Sequence, residues 1–260
     1  MYAEDYIESL AERGQYHFTT EAVQQAVNAN GAAVRAQLRR LRERGKIATP
    51  FRTFQVIMMP EHRLMGCVPA EYFIHPLMTF LGDAYYLCLL SAAERYGAAH
   101  QRPQVTQVMV PRSRADIRCG LVHVQFITRS EVAEMPTVML PGPRGMLHYS
   151  NPEVTALELV GHPSYGGGLD NIATVLSELT EAMDPERLLH ASSINPIGWS
   201  QRLGYLLELV GADQLASVLE ESVGMNAHSY IPLRRADSVT GASRSAKWKL
   251  IINADVEPDL

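Results

Sequence analysis

The sequence predicts an α+β protein: an N-terminal winged helix-turn-helix followed by a larger mixed α/β domain. Three observations predict it. Residues 32–44 set apolar and basic positions on a helical period between Asn30-Gly31 and Gly45. Directly after, Ile47, Ala48, Phe54, Val56 and Met58 show strand-like spacing around Pro50-Phe51-Arg52-Thr53, the pattern of a short β wing. From residue 104 onward, short period-two segments precede a long run of helices.

The first helix of the pair starts at Thr19-Thr20-Glu21-Ala22, with Thr19 as its N-cap, and runs to about residue 29. Asn30-Gly31 supplies the corner, and the second helix follows. On that helix Val34, Leu38 and Leu41 recur at i, i+4, i+7 and face a small core. This leaves Arg35, Arg39 and Arg42 on one flank and Gln37, Arg40 and Arg44 on the other. Between residues 35 and 52 there are seven cations, Arg35, Arg39, Arg40, Arg42, Arg44, Lys46 and Arg52, against one carboxylate, Glu43. Most charge runs only solvate a surface helix, but this balance together with a wing in register predicts a DNA-binding face. In a helix-turn-helix the second helix enters the major groove. Arg35, Arg39 and Arg40 are the candidates for base edges, because bidentate arginine to guanine is the commonest direct contact. Arg52 at the hairpin tip would touch backbone or minor groove.

Past the wing, residues 60–69 read as a linker. Residues 70–80 and 83–96 read as two helices broken at Gly82, the second apolar nearly all round and therefore buried. Strands are expected at Val105 with residues 107–110, then 121–128, 137–140 and 146–149, in a small mixed or antiparallel sheet. Asn151-Pro152-Glu153 starts a helix with proline in its first turn. Further helices are expected over 169–183, 185–191, 197–210 and 213–223, and two strand-like segments at 230–233 and 247–252.

Charge separates two regions. Residues 1–60 hold eight Lys/Arg and six Asp/Glu, net +2, leaving fifteen and twenty-two in the rest, net −7. The expected organisation is a DNA-binding domain over 1–60, a helical linker region over 61–103 and a C-terminal α+β domain over 104–260. Cys67, Cys88 and Cys119 form no CxxC pair, so neither a disulfide framework nor a zinc site is indicated, and buried free thiols in a reducing cytosol are expected. With no signal pattern and no apolar run of the ~18 residues a membrane span needs, a cytoplasmic protein without a membrane partner is expected.

Several segments carry a family resemblance. They are residues 34–41 (VRAQLRRL) with Gly45-Lys46-Ile47, Tyr85-Tyr86 with Leu90-Ser91-Ala92-Ala93, and Tyr96-Gly97-Ala98-Ala99-His100-Gln101. To these add Asn151-Pro152-Glu153-Val154-Thr155-Ala156-Leu157 and Arg202-Leu203-Gly204-Tyr205-Leu206-Leu207-Glu208. Through most of residues 1–225 the chain resembles the AbiEi-type antitoxins of bacterial type IV toxin–antitoxin systems. The resemblance implies a winged helix that represses its own operon at inverted repeats, two copies binding cooperatively or as a dimer. It also implies a C-terminal antitoxin domain that counters a nucleotidyltransferase-like toxin, AbiEii, directly or indirectly. Arg202, Tyr205 and Glu208 are the candidate antitoxin surface, although Tyr205, Leu206 and Leu207 also suit a core helix. Where such wings often carry glycine beside an aromatic at the tip, this chain has Arg52-Thr53-Phe54.

Catalysis finds little support. The nine histidines are scattered, without HExxH or a close His/Asp/Glu grouping. His100 has a functional reading, but a hydrogen-bonded structural role suits it better. Asp116 is followed by Val122-His123-Val124-Gln125, without the acid–lysine pair of a metal nuclease. No Gly-x-Ser-x-Gly elbow surrounds Ser91 or Ser200. Gly166-Gly167-Gly168 before a helix would offer amides to an anion but lacks the Lys-Ser/Thr ending of a P-loop. No enzyme, cofactor or metal is expected. The alternative is a ligand-sensing winged-helix repressor without a toxin partner.

Overall fold

The structure is a computed structural model, and it describes residues 2–98 and 104–259. It is a mixed α+β fold with three sheets among the described residues. The chain divides into two compact units, Met1–Tyr85 with Gln104–Val132 and Leu140–Leu147, and Tyr86–Pro103 with Ala133–Met139 and His148–Leu260.

The first unit opens with helix α1 (Ala3–Glu12), strand β1 (His17–Thr19), helices α2 (Thr20–Val27) and α3 (Gly31–Glu43), and the hairpin β2 (Ile47–Phe51) and β3 (Phe54–Ile57). Both helix starts follow the expected side chains. Thr19 Oγ1 accepts from Ala22 N at 3.1 Å, and Asn30 Oδ1 accepts from Ala33 N at 2.8 Å. Each such cap satisfies an amide that the helix leaves unpaired and is worth about 1 kcal/mol. β1 adds to the hairpin, giving strand order β1-β3-β2 with Thr19 opposite Phe54. Val34, Leu38 and Leu41 do face a core, shared with Ala3, Ile7, Leu10, Phe18, Val23 and Ile47. Each buried aliphatic side chain contributes roughly 1.5–3 kcal/mol of transfer free energy. Helix α1 was not expected. Its signal lay in Ala3, Ile7 and Leu10, an i, i+4, i+7 stripe half hidden among Glu4, Asp5, Glu8 and Glu12.

The expected linker at 60–69 is in part a 3-10 helix, Pro60–Met65, which ends at Gly66. The helix expected over 70–80 is shorter: a 3-10 turn at Ala70–Tyr72, then α4 (Ile74–Leu81). The helix expected over 83–96 is corrected more sharply. Residues 83–88 are not helical and include β4 (Tyr86–Leu87), and α5 covers only Leu89–Arg95. The burial expectation holds, since Tyr85 through Leu89 are all buried. A short run apolar on every side carries no period to separate strand from helix.

The chain, having entered the second unit with β4 and α5, returns to the first with β5 (Thr106–Val110), β6 (Ile117–Cys119) and β7 (Val122–Thr128). β5 and β7 pair in parallel and β6 pairs antiparallel with β7, so the sheet is mixed. β6, three residues long, was not expected. The turn after it meets the segment after the first 3-10 helix: Met65 O accepts from Leu121 N at 2.7 Å. A Cβ on Gly120 would lie 2.0 Å from Met65 O and 2.7 Å from Gly66 Cα, and both glycines have positive φ, +57° and +72°. Only glycine fits so close a backbone approach.

Asp83, just beyond α4, is an almost fully buried carboxylate paired with Arg112 and Arg114; Arg114 Nε donates to Asp83 Oδ2 at 2.8 Å. The Arg112 hydrogen bond above all, with Arg114 adding, holds its carboxyl below the usual carboxylate range against the opposing effect of burial. A carboxyl whose pKa is lower folded than unfolded stabilises the fold above its unfolded value of about 4, and that stability is lost as pH falls through the folded value. Asp83→Asn is therefore expected to lower stability at neutral pH and to flatten its fall below about pH 4, where wild type and variant converge. Urea midpoints across that range check it, and parallel curves would contradict it.

The second unit is mainly helical. The hairpin strands β8 (Thr137–Gly142) and β9 (Gly145–Ser150) contribute residues to both units, and β4 pairs in parallel with β9 at Leu87 and Tyr149. Helix α6 (Pro152–Gly161) starts as expected, with Asn151 Oδ1 accepting from Val154 N at 2.9 Å. It is buried from Pro152 to Val160 and packs against α5 and against α7 (Leu169–Leu179), α8 (Pro185–Ser193) and α9 (Ile197–Leu209). Its two interior carboxylates are engaged. Tyr86 Oη donates to Glu158 at 2.5 Å, and Glu153 accepts from Asp184 N at 2.7 Å. After α10 (Asp213–Asn226), the tail forms β10 (Ile231–Pro232), β11 (Ser243–Ser245) and β12 (Leu250–Ile252), ordered β10-β12-β11. The two tail segments expected to be strands are shorter than expected, and β11 was not expected.

Candidate nucleic-acid interface

The two flanks of α3 have different surroundings. Arg35, Arg39 and Arg42 line one side of a groove whose other walls are Thr20, Glu21 and Gln24 of α2 and Thr49, Arg52, Thr53 and Gln55 of the hairpin. All four arginines are exposed. Arg39 reaches Glu43 at 3.7 Å, an exposed i, i+4 pair of small energetic weight. Arg35 lies over Gly31 next to Gln24, since a Cβ there would stand 3.2 Å from Arg35 Nη1 and 3.3 Å from Gln24 Oε1. Small Ala32 and Ala36 complete this face.

The floor of the groove is polar and braced. Thr49 Oγ1 donates to Gln55 Oε1 at 2.6 Å, and Thr20 N donates to Thr53 O at 3.0 Å. The first bond joins the two hairpin strands, and the second ties the hairpin tip to the start of α2. Arg52 occupies that tip with a positive φ of +31°, its guanidinium 5.7 Å from the centre of the Phe51 ring. The glycine-free tip thus closes with Arg52 in the left-handed region. Glu21 is the one carboxylate among the groove-lining residues.

The other flank meets α1. Gln37 Oε1 accepts from Ala3 N at 2.8 Å, so the side chain sequence spacing offers to DNA instead caps α1. Arg44 is 3.9 Å from Glu4, and Lys46 pairs with Glu4 and, at 3.7 Å, with Glu8. The Glu4 hydrogen bond above all raises the Lys46 pKa, so it stays fully charged. Arg40 is exposed and is not among the groove-lining residues. Seven cations therefore resolve into four that share a groove, two partly neutralised by α1, and Arg40 apart.

The segment 202–208 is occupied internally. Arg202 is buried, donating from Nε to Leu233 O at 3.1 Å and from Nη2 to Pro232 O at 2.8 Å, which fastens β10 to α9. Burial, with the charge of Arg235, lowers its pKa to about 10, still cationic at neutral pH. Trp248, fully buried, lies over Gly204: a Cβ there would be 2.1 Å from the indole. Glu208 accepts from Trp248 Nε1 at 2.7 Å and pairs with Lys247 at 2.6 Å. Burial pulls its carboxyl upward, but the bonds from Lys247 and Trp248 outweigh that and hold it low. Arg202 is thus interior rather than a surface residue, Glu208 is spent on the tail, and Tyr205 is half-buried.

Other residues weighed for chemistry are likewise engaged. Asp116 bonds His123 Nε2 at 3.0 Å and Phe126 N at 3.3 Å. Asp170, in the first turn of α7 after the glycine run, accepts from Glu257 N at 3.0 Å. His100, with Ala99 and Gln101, lies outside the described residues. Among the described residues no group of three His, Cys, Asp or Glu side chains could hold a metal ion, and no helix is long and apolar enough to cross a membrane.

The first unit thus carries a groove lined by four arginines, and the second is helical around α6. Residues 85–209 match the AbiEi antitoxin C-terminal domain, and this match supports an antitoxin of the AbiEi type, a family that is regulatory rather than generally enzymatic. No curated protein matches the chain. Among solved structures it is similar to the RV2827C protein from Mycobacterium tuberculosis, with a TM-score of 0.69 and 18% sequence identity over 96% of this chain and 90% of that one, a likeness of fold.

Proposed function

We propose that this antitoxin is also an autorepressor, whose first 60 residues act as a winged helix-turn-helix on inverted repeats in its own promoter. The observation that carries the reading is the convergence of Arg35, Arg39, Arg42 and Arg52 on one braced groove. α3 is the recognition helix, with Ala32 and Ala36 permitting close approach to the base edges, and Arg52 reaches the adjoining backbone from the hairpin tip. Neutralising phosphates releases counterions, so affinity falls steeply as salt rises. One such head covers only part of a helical turn, so two copies fill an operator, cooperatively or as a dimer. The AbiEi-type domain supports the antitoxin role, and the partner we propose is a nucleotidyltransferase-like toxin, opposed inside the cell directly or through a shared target.

Footprinting the full chain on its own promoter tests the first part, with protection of paired half-sites expected. No protection at low ionic strength would overturn the repressor reading. Co-expression with the neighbouring toxin gene tests the second, and growth unrelieved by the antitoxin would overturn it.

A further inference from the structure

Two glycine–cysteine pairs of opposite order, Gly66-Cys67 and Cys119-Gly120, meet in the first unit. The chain passes residues 65–67 antiparallel to 119–121: Met65 O accepts from Leu121 N, and Gly66 lies against Gly120. Cys67 and Cys119 are the residues directly next to the two crossing glycines, and disulfides bridge residues whose Cα atoms lie about 4.4–6.8 Å apart. The two side chains act on one another, raising the Cys67 pKa and lowering that of Cys119. Cys67 is fully buried, whereas Cys119 is half-buried beside Leu121, a turn residue 76% exposed. Both are free thiols, and neither serves the groove or the antitoxin domain's packing as described above.

We infer that Cys67 and Cys119 are a reactive dithiol that closes to a reversible intrachain disulfide on meeting a small-molecule disulfide. Cys119 supplies the attacking thiolate. The Cys67 side chain, the Thr49 backbone amide and the Arg42 charge hold its pKa at about 7 against burial. The thiolate, not the thiol, is the nucleophile. It attacks one sulfur of the small disulfide, forming a mixed disulfide and expelling one small thiolate. Cys67, whose proton is retained first by that thiolate and then by burial, loses the first restraint once Cys119 is capped. It gives its proton to the departing thiolate, attacks the Cys119 sulfur and expels the second small thiolate, so the small disulfide is reduced by two electrons as the protein is oxidised. The third thiol, Cys88, is buried in the other unit and takes no part. This inference stands independently of the DNA reading.

The test uses the reduced full chain and glutathione disulfide near neutral pH, with an acid quench, alkylation in denaturant and peptide mass mapping. The expected product joins the peptides of Cys67 and Cys119, lighter by two hydrogens, with Cys88 alkylated and dithiothreitol restoring all three thiols. Cys88→Ala leaves the rate unchanged, while Cys119→Ser slows thiol loss at least about tenfold, since the buried Cys67 lacks thiolate character. Cys119 stopping as a stable glutathione adduct with Cys67 free, a chain-to-chain dimer through Cys119, or three thiols persisting would each overturn it.

Discussion

Alanine at Arg35, Arg39 and Arg42 together is expected to lower affinity for a fragment of the chain's own promoter by at least a hundredfold. A good bidentate arginine contact to a base contributes about 1–3 kcal/mol, and each lost phosphate contact lowers the salt slope by about 0.9. Even if none of the three reads a base, the salt dependence must become shallower. Arg44→Ala, on the opposite flank, is expected to change affinity less than about threefold, because Glu4 already offsets its charge. Gel-shift titrations over a range of salt measure both effects. Equal losses from the two flanks would mean that the groove is not the contact surface.

The second large effect is on folding. Trp248→Ala is expected to destabilise the second unit by about 3–5 kcal/mol, the usual result of removing a fully buried tryptophan. The indole fills the space that Gly204 leaves on α9, and its loss also strips Glu208 of a hydrogen bond. Gly204→Val should act similarly, because its Cβ would stand 2.1 Å from the ring. Calorimetry should show a clearly lower unfolding midpoint. An unchanged midpoint would show that the tail does not brace α9.

What was legible in the sequence was what neighbours in sequence decide. Thr19, Asn30 and Asn151 each bond an amide three residues on, so side-chain type and position sufficed. The stripe Val34, Leu38, Leu41 likewise fixes which side of α3 is buried, and hence which arginines remain free. Long-range partners were not legible. Nothing near Gln37 announces that Ala3 will use its amide oxygen, and nothing near Arg202 points to carbonyls at Pro232 and Leu233. The same holds for Asp83, whose arginines lie at 112 and 114. β4 escaped for a different reason, since Tyr85 to Leu89 are buried on every side and leave no periodicity. The AbiEi resemblance identified 202–208 as distinctive; its residues are distinctive because they hold the tail.

Strands β5 to β7, more than forty residues downstream of the basic hairpin, are nevertheless built into the same compact unit, joined to it where Leu121 meets Met65. A gene truncated after the hairpin would expose an apolar sheet face and forfeit the glycine crossing at 66 and 120. A cassette cut near residue 60 therefore cannot carry this unit whole onto another protein. On the repressor reading proposed above, changes of operator preference should instead accumulate by single substitutions along the arginine flank, with the scaffold inherited whole.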